Sequence, residues 1–288
     1  MTTVTPIDDP TRRSDPAARA GHSPHPARVG FFTDTSVCIG CKACEVACKE
    51  WNHVPQDPFQ WRGMSYDNTL GLGADTWRHV AFIEQRRHLG AQEVGGAPDG
   101  GLRWLMSSDV CKHCTEAACL DVCPTGSLFR TEYGTVVVQE DICNGCGYCV
   151  PACPFGVIDQ REGDGRVWKC TLCYDRLGAG MEPACAKACP TDSIQFGELE
   201  DLRGRAADRV GQLHDAGITD ARLYGDDPDD GIGGAGAFFL LLDEPEVYGL
   251  PPDPVVTTRD LPGMWRRVGV AAVALFGVAA AVFVGRRP

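Results

Sequence analysis

The alternation of apolar and polar positions predicts many short strands and few long helices. Trp77–Gln85 and Leu102–Ser107 carry the aromatic and β-branched residues of strands. Ser127–Glu140 reads as strand, turn at Tyr133-Gly134 and strand, which is a hairpin. Val157–Trp168 repeats that plan with a turn at Gly163–Gly165, and Ser193–Phe196 adds another short strand. Leu199, Leu202, Ala206, Val210 and Leu213 recur with helical period, so 199–216 is predicted as a helix. A Gly/Asp-rich loop at 225–236 leads into an apolar strand at Ala237–Leu242, and the proline-rich stretch 250–262 reads as a linker. Residues 1–29 hold Pro6, Pro10, Pro16, Pro24 and Pro26 without periodicity and are expected to be a flexible tail.

The C-terminal pattern differs in kind. Val268–Val284 is a run of uncharged apolar, Ala or Gly residues between Arg266-Arg267 and Arg286-Arg287, with Trp265 at one edge. A helix of that length spans ~26 Å, enough for a thin hydrocarbon core with the arginines reaching the interfaces. The competing reading, a buried soluble helix, fits poorly with a run that is apolar on all sides and follows a linker. A single-pass transmembrane helix over 266–285 is therefore expected. The net charge of −12 disfavours binding to phosphate backbones, so nucleic acid is not an expected partner.

Cysteine changes the picture most. The 288-residue chain holds 16 of them, all between Cys38 and Cys189. Residues 1–29 lack the apolar segment of a secretory signal, and Arg12-Arg13 are not followed by an apolar run, so a disulfide scaffold and a twin-arginine leader are not expected. The spacing is that of thiolate metal sites. Cys38, Cys41, Cys44 and Cys48 form the first group. Cys111, Cys114, Cys119 and Cys123 form the second, followed by Pro124. Cys143, Cys146, Cys149 and Cys153 form the third, followed by Pro154. Cys170, Cys173, Cys185 and Cys189 form the fourth, followed by Pro190. The third group is the bacterial ferredoxin run C-x2-C-x2-C-x3-C-P, and the second and fourth lengthen its middle gap. The first has Lys49 in place of the proline.

That spacing suits a cubane. Three thiolates wrap one small inorganic core, while the fourth leaves on a helix and ligates the other cluster of a pair. Sixteen thiols thus predict four [4Fe–4S] clusters in two pairs, held on an α+β fold of two ferredoxin-like double-cluster units with short hairpins and helices. The alternative of another class is a zinc-stabilised scaffold, motivated by the CxxC pairs, but zinc ribbons lack the C-x3-C-P ending. His53 and His113 are expected to be ordinary polar residues, since cysteines fill every ligand slot. Four of the six tryptophans, Trp51, Trp61, Trp77 and Trp104, fall in the insertion 49–110; core and partner interface are both open for them. The expected organisation is a tail (1–29), a cluster domain (30–249) with the insertion 49–110 and an extension 199–249, a linker (250–265) and the transmembrane helix. No dinucleotide fingerprint, P-loop, nucleophile elbow or metalloprotease helix is present, so no catalytic residue is expected.

The stretches FFTDTSVCIGCKACEVACKEWN (31–52), SDVCKHCTEAACLDVCPTGSLFRTEYGTVVVQEDICNGCGYCVPACPFGVID (108–159), WKCTLCYDRL (168–177) and EPACAKACPTDSIQFG (182–197) resemble the iron–sulfur (beta) subunits of molybdenum or tungsten oxidoreductases, most closely those of membrane-bound formate dehydrogenases. Nitrate reductase beta subunits are similar but carry Trp for one cysteine of the third group; here all four are present. The anchored subunit of a membrane-bound hydrogenase and the subunits of sulfur-compound reductases are the alternatives within the superfamily. The resemblance implies that the first group pairs with the fourth and the second with the third. Cluster one then takes Cys38, Cys41, Cys44 and Cys189, and cluster two takes Cys48, Cys170, Cys173 and Cys185. Cluster three takes Cys111, Cys114, Cys119 and Cys153, and cluster four takes Cys123, Cys143, Cys146 and Cys149. It also implies a molybdopterin catalytic alpha subunit that oxidises formate, a cytochrome b gamma subunit that reduces quinone, and a cluster domain on the extracytoplasmic face of the cell membrane.

Overall fold

The computed structural model describes residues 15–57, 63, 66–67, 69–86 and 102–284; Trp61, residues 1–14 and Arg286-Arg287 lie outside them. In chain order the elements used below are β1 (Val29–Asp34), α1 (Ala43–Asn52), β2 (Arg78–Arg86), β3 (Leu102–Val110), β4 (Leu128–Arg130), β5 (Val136–Val138), β6 (Asp159–Gln160), β7 (Val167–Trp168), β8 (Ile194–Glu198), α2 (Leu199–Asp215), β9 (Arg222–Tyr224), β10 (Ala237–Leu241) and α3 (Leu261–Val284). Between them lie four- and five-residue helical turns at Pro16–Arg19, Ala118–Asp121, Cys149–Ala152, Tyr174–Gly178 and Ala184–Lys187.

A run such as Phe31-Phe32 or Phe238-Phe239-Leu240-Leu241 has no polar alternate, so it demands cover on both faces. It receives it in a four-stranded sheet of order β8-β1-β10-β9. β1 pairs antiparallel with β8 and parallel with β10, in the register Phe31↔Ala237 to Asp34↔Leu240. Because side chains alternate along a strand, the two faces take different neighbours. Phe32, Phe238 and Leu240 face α2, meeting Leu199, Leu202, Ala206 and Leu213. Phe31, Phe239 and Leu241 belong to a second cluster that includes Cys44, Cys48, Cys111, Cys170 and Cys185. The sheet is thus a wall between a supporting helix and the cysteine-bearing body. Its strands approach closely: a Cβ on Gly30 would run into the carbonyl oxygen of Gly236, which accepts from Phe31 N at 2.8 Å.

The hairpins fall where the pattern predicts them. β2 and β3 pair over nine positions, from Arg78↔Val110 to Arg86↔Leu102. β4 pairs with β5, and β6 with β7. The tryptophans of the insertion divide. Trp77 is buried and stacks on Trp168 with centroids 6.3 Å apart. Trp51 and Trp104 are partly exposed; Trp51 Nε1 donates to Asp175 at 2.8 Å.

Residues 15–28 differ from the expectation of a flexible tail. Asp15 caps Pro16–Arg19 by accepting from Ala18 N, Ala17 is buried, and Arg19 donates to both carboxylate oxygens of Glu116 at 2.6 and 3.0 Å. Arg28 Nη1 donates to Thr115 Oγ1 at 2.7 Å. A four-residue helix has no period to display, and its anchors lie about a hundred residues away, so composition carried no sign of it. The proline-rich stretch is likewise held down, with Val256 buried and its N–H donating to Gly231 O at 3.0 Å.

α3 stands apart. Gly263–Phe283 is long and apolar enough to cross a membrane, and none of it is buried within the chain. Val273, Leu275, Phe276 and Phe283 each expose more than two thirds of their surface. So much contiguous apolar surface is stable only in lipid or against another apolar surface. Since the last contacts with the sheet body are made by Thr258 and Arg259, deleting residues 261–288 is expected to leave the unfolding midpoint of the body unchanged. The full chain expressed alone should sediment with membranes and the truncated chain should stay soluble; retention of the truncated chain on washed membranes would contradict the single-anchor assignment.

Candidate metal centres

All sixteen cysteines are free thiols. The local backbone explains how each group turns around a point. The residue two after the first cysteine has a left-handed conformation every time: Gly40, His113, Gly145 and Leu172, with φ of 65°, 45°, 70° and 55°. Left-handed residues in such loops turn successive amides toward one side, which makes an anion-binding concavity. Two of these positions are glycine. At Gly145 a Cβ would lie 2.5 Å from Gly165 O, so no other residue fits. His113 and Leu172 hold the strained conformation with side chains, both almost fully buried. His113 Nδ1 accepts from Val136 N at 3.1 Å, and Leu172 N donates to Cys170 Sγ at 3.2 Å. The expectation that His113 is ordinary misses this backbone role.

The cysteine before each proline lies at or just past the end of a helical turn. Proline lacks an N–H and restricts the residue before it, so the turns Ala118–Asp121, Cys149–Ala152 and Ala184–Lys187 stop there. Lys49 permits continuation, and α1 runs ten residues. Within α1, Cys44 and Cys48 are one turn apart and both buried. They nevertheless have different thiol neighbours. One cavity is lined by Cys38, Cys41, Cys44 and Cys189, together with Ile39, Val80 and Ser108. Cys48 instead neighbours Cys170, Cys185 and Cys173, and Asn52 Nδ2 sits 3.7 Å from Cys48 Sγ and 3.8 Å from Cys173 Sγ. A second cavity is lined by Cys111, Cys114, Cys119 and Cys153. Cys149 neighbours Cys123, Cys143 and Cys146.

Burial raises the thiols' affinity for protons: Cys44 is pushed up to about 11, and Cys119, Cys149 and Cys170 to about 12. Cys123 goes the other way, because its modest burial is outweighed by donation from the amides of Leu128 and Ser127 and from Thr125. A buried set of four thiols therefore becomes a set of thiolates only when a cationic centre takes the place of the protons. Soft thiolate donors in fours suit iron–sulfur clusters and zinc alike. A single zinc ion draws its sulfurs to ~2.3 Å. Among the described residues no three His, Cys, Asp or Glu side chains converge in that way; the thiols surround spaces, which fits a cubane.

Sequence reasoning overlooked the buried cations beside these spaces: Arg78, Lys112, Lys169 and Arg130. Lys112 donates to Val110 O at 2.9 Å and to Asp109, and its ammonium lies 4.9 Å from the Phe239 ring centroid. Lys169 donates to Val136 O and Cys170 O at 2.5 and 2.9 Å. Arg130 donates to the carbonyls of Gly134, Cys114 and Thr115 at 2.9–3.0 Å. The adjacency of Lys112 to Cys111 and of Lys169 to Cys170 was the available signal.

Residues 37–127 match the family described as 4Fe-4S dicluster domain, and residues 102–199 match a second family of the same description. The chain is 41% identical over 263 residues to the formate dehydrogenase iron–sulfur subunit of Haemophilus influenzae, covering 89% of this chain and 79% of that one. It is 40% identical over 236 residues to the nitrate-inducible formate dehydrogenase iron–sulfur subunit of Escherichia coli, covering 81% and 75%. Similarity to the B subunit of the anaerobic dimethyl sulfoxide reductase of Escherichia coli is 35% over 181 residues, covering 63% and 78%.

Lys49→Pro would give the first group the ending that the other three share. In this structure it would break α1 and remove the Lys49 Nζ bonds to Asp57 and Asp75 O. The expected loss is about 3 kcal/mol or more, read by anaerobic denaturant unfolding; an unchanged midpoint would show that α1 need not run past Cys48.

Proposed function

The protein belongs to the family of formate dehydrogenase iron–sulfur subunits, which transfer electrons and are not themselves catalytic, and from that premise we propose that it holds four [4Fe–4S] clusters and relays electrons from a formate-oxidising molybdopterin subunit to a membrane cytochrome b subunit and quinone. Each cluster, when bound, accepts and returns one electron at a time. The proposed ligands are Cys38, Cys41, Cys44 and Cys189; Cys48, Cys170, Cys173 and Cys185; Cys111, Cys114, Cys119 and Cys153; and Cys123, Cys143, Cys146 and Cys149.

One observation carries this reading. Cys44 and Cys48 share a helix, yet each neighbours thiols of the fourth group at a separate site. The crossing supports two sites held jointly by the first and fourth groups, and Cys153 beside Cys111 supports the same for the second and third.

The protein's own residues supply the setting. Sheet, hairpins and burial keep water from Cys48, Cys170, Cys173 and Cys185. Loop amides and the Ser108 hydroxyl, 3.2 Å from Cys44 Sγ, offer donors to thiolates. Cys41 and Cys146, by contrast, are exposed, so two of the four sites reach the surface where an exchange partner can approach. α3 ties this body to a bilayer, where a quinone-reducing partner resides, and we place the cluster domain on its extracytoplasmic face. The formate reading is preferred to a membrane-bound hydrogenase or sulfur-compound reductase because the formate dehydrogenase relatives match nearly the whole chain, and the dimethyl sulfoxide reductase subunit matches less of it.

Anaerobic purification is expected to yield about sixteen iron and about sixteen acid-labile sulfide per chain; about four zinc without sulfide would overturn the reading. Cys189→Ser and Cys38→Ser should perturb one and the same electron paramagnetic resonance signal, and Cys170→Ser a different one. If Cys189→Ser and Cys170→Ser share a signal that Cys38→Ser leaves alone, ligation is local to each motif and the crossed assignment fails. In the assembled complex, Cys189→Ser should lower formate-driven quinone reduction more than formate-driven dye reduction.

A further inference from the structure

Arg78 opens β2 and is about 1% exposed. Burying a guanidinium is costly unless its charge and its donors are met. The protein meets them only in part. Nη1 donates to Ser108 O at 3.2 Å and to Ser108 Oγ at 3.3 Å, while Nε and Nη2 have no partner in the chain. The guanidinium carbon lies 4.8 Å from the centroid of the Phe31 ring, which closes one side. No carboxylate pairs with it among the described residues. Its electrostatic neighbours are thiols: Cys185, Cys44, Cys170 and Cys48. Cys44 lines the site shared with Cys38, Cys41 and Cys189; the other three form the site beside it. Ser108 extends the link, since its hydroxyl contacts both Arg78 Nη1 and Cys44 Sγ.

An orphaned cation between two sets of buried thiols has a purpose only when those thiols are anionic. We propose that Arg78 is a counter-charge shared by these two sites, and that it raises the reduction potential of the groups bound in both. The inference rests on the reading that the thiols hold [4Fe–4S] clusters. Each reduction delivers one electron, from dithionite in the test and from the catalytic partner in the complex. It makes and breaks no bond and takes up no proton, because arginine stays charged. The site becomes more negative by one unit, and a fixed positive charge in a poorly screened interior favours that form. Arg78 acts as a positioning and tuning residue and is not itself a ligand. Lys169 and Arg130 neighbour Cys119 of a different site, so removing Arg78 should leave the second- and third-group sites as they are.

The test is a redox titration of the full chain with dithionite, followed by electron paramagnetic resonance, on wild type, Arg78→Gln and Arg78→Lys. Signals are assigned beforehand with Cys38→Ser and Cys173→Ser, and iron and sulfide are counted in every preparation. At an ambient potential near the wild-type midpoint, Arg78→Gln should lower the reduced-to-oxidised ratio at the two assigned sites at least tenfold, about 59 mV for a one-electron couple. The other two signals should stay within threefold, and Arg78→Lys should keep all four near wild type. Unchanged ratios, a shift at only one site, or an equal shift at all four would overturn the proposal. If Arg78→Gln loses its iron and sulfide, Arg78→Lys decides: assembled clusters at wild-type midpoints support the shared charge, while shifted midpoints or lost clusters show that guanidinium geometry, and not charge, is required. A wild-type preparation with zinc and no sulfide would instead defeat the cluster reading on which the inference stands.

Discussion

Negative charge has to be kept inside the protein, and the rest of the architecture answers to that need. A thiol buried as deeply as Cys170 or Cys119 prefers to keep its proton. Turning four such groups into ligands requires positive charge at the centre and donors around the rim. The left-handed residues at Gly40, His113, Gly145 and Leu172 turn the loops so that amides can serve as that rim. Arg78, Lys112, Lys169 and Arg130 add fixed cations, each held by backbone carbonyls or the Ser108 hydroxyl.

Holding those loops rigid falls to the sheet. β1 leads directly into the first cysteine group, and β8 follows the fourth; their antiparallel pairing brings the two ends of the cysteine-bearing segment together. β10 then pairs on the other side of β1 and extends the wall. Residues with no part in metal chemistry, such as Phe31 and Phe239, thereby form the floor on which Arg78 and Lys112 rest. The extension after the fourth group is structural support in the strict sense, since α2 covers the face of the sheet that looks away from the cysteines.

What the sequence revealed follows from the range over which each signal acts. The hairpins, α2 and the apolar C-terminal helix are written in local periodicity, and each forms within a few residues of its expected bounds. The cysteine groups announce their chemistry because their spacing is short and repeated. Three features were invisible because their causes are distant along the sequence. The parallel register of β1 with β10 joins residues about two hundred positions apart. The anchoring of residues 15–28 depends on Glu116 and Thr115. The burial of Arg78 depends on a fold that brings the insertion hairpin against the first and fourth groups, and an arginine at the head of a strand pattern reads as solvent-facing. The proline missing at Lys49 was visible, but its effect, a ten-residue α1 in place of a four-residue turn, needed the backbone to appreciate.

The nesting of the two thiol pairs also sets an order in time. A polypeptide emerging from the ribosome has released every thiol of the Cys111, Cys114, Cys119 and Cys153 neighbourhood once residue 153 is out, and by then the Cys123, Cys143, Cys146 and Cys149 set is complete as well. The Cys38, Cys41 and Cys44 set, although made first, waits for Cys189, and the wall behind it waits for β10. The earliest thiols are therefore the last to be enclosed. During synthesis the amino-terminal motif is a loose end that other metals and oxidants can reach, while the inner pair closes around its contents, and the final strand acts as the clasp.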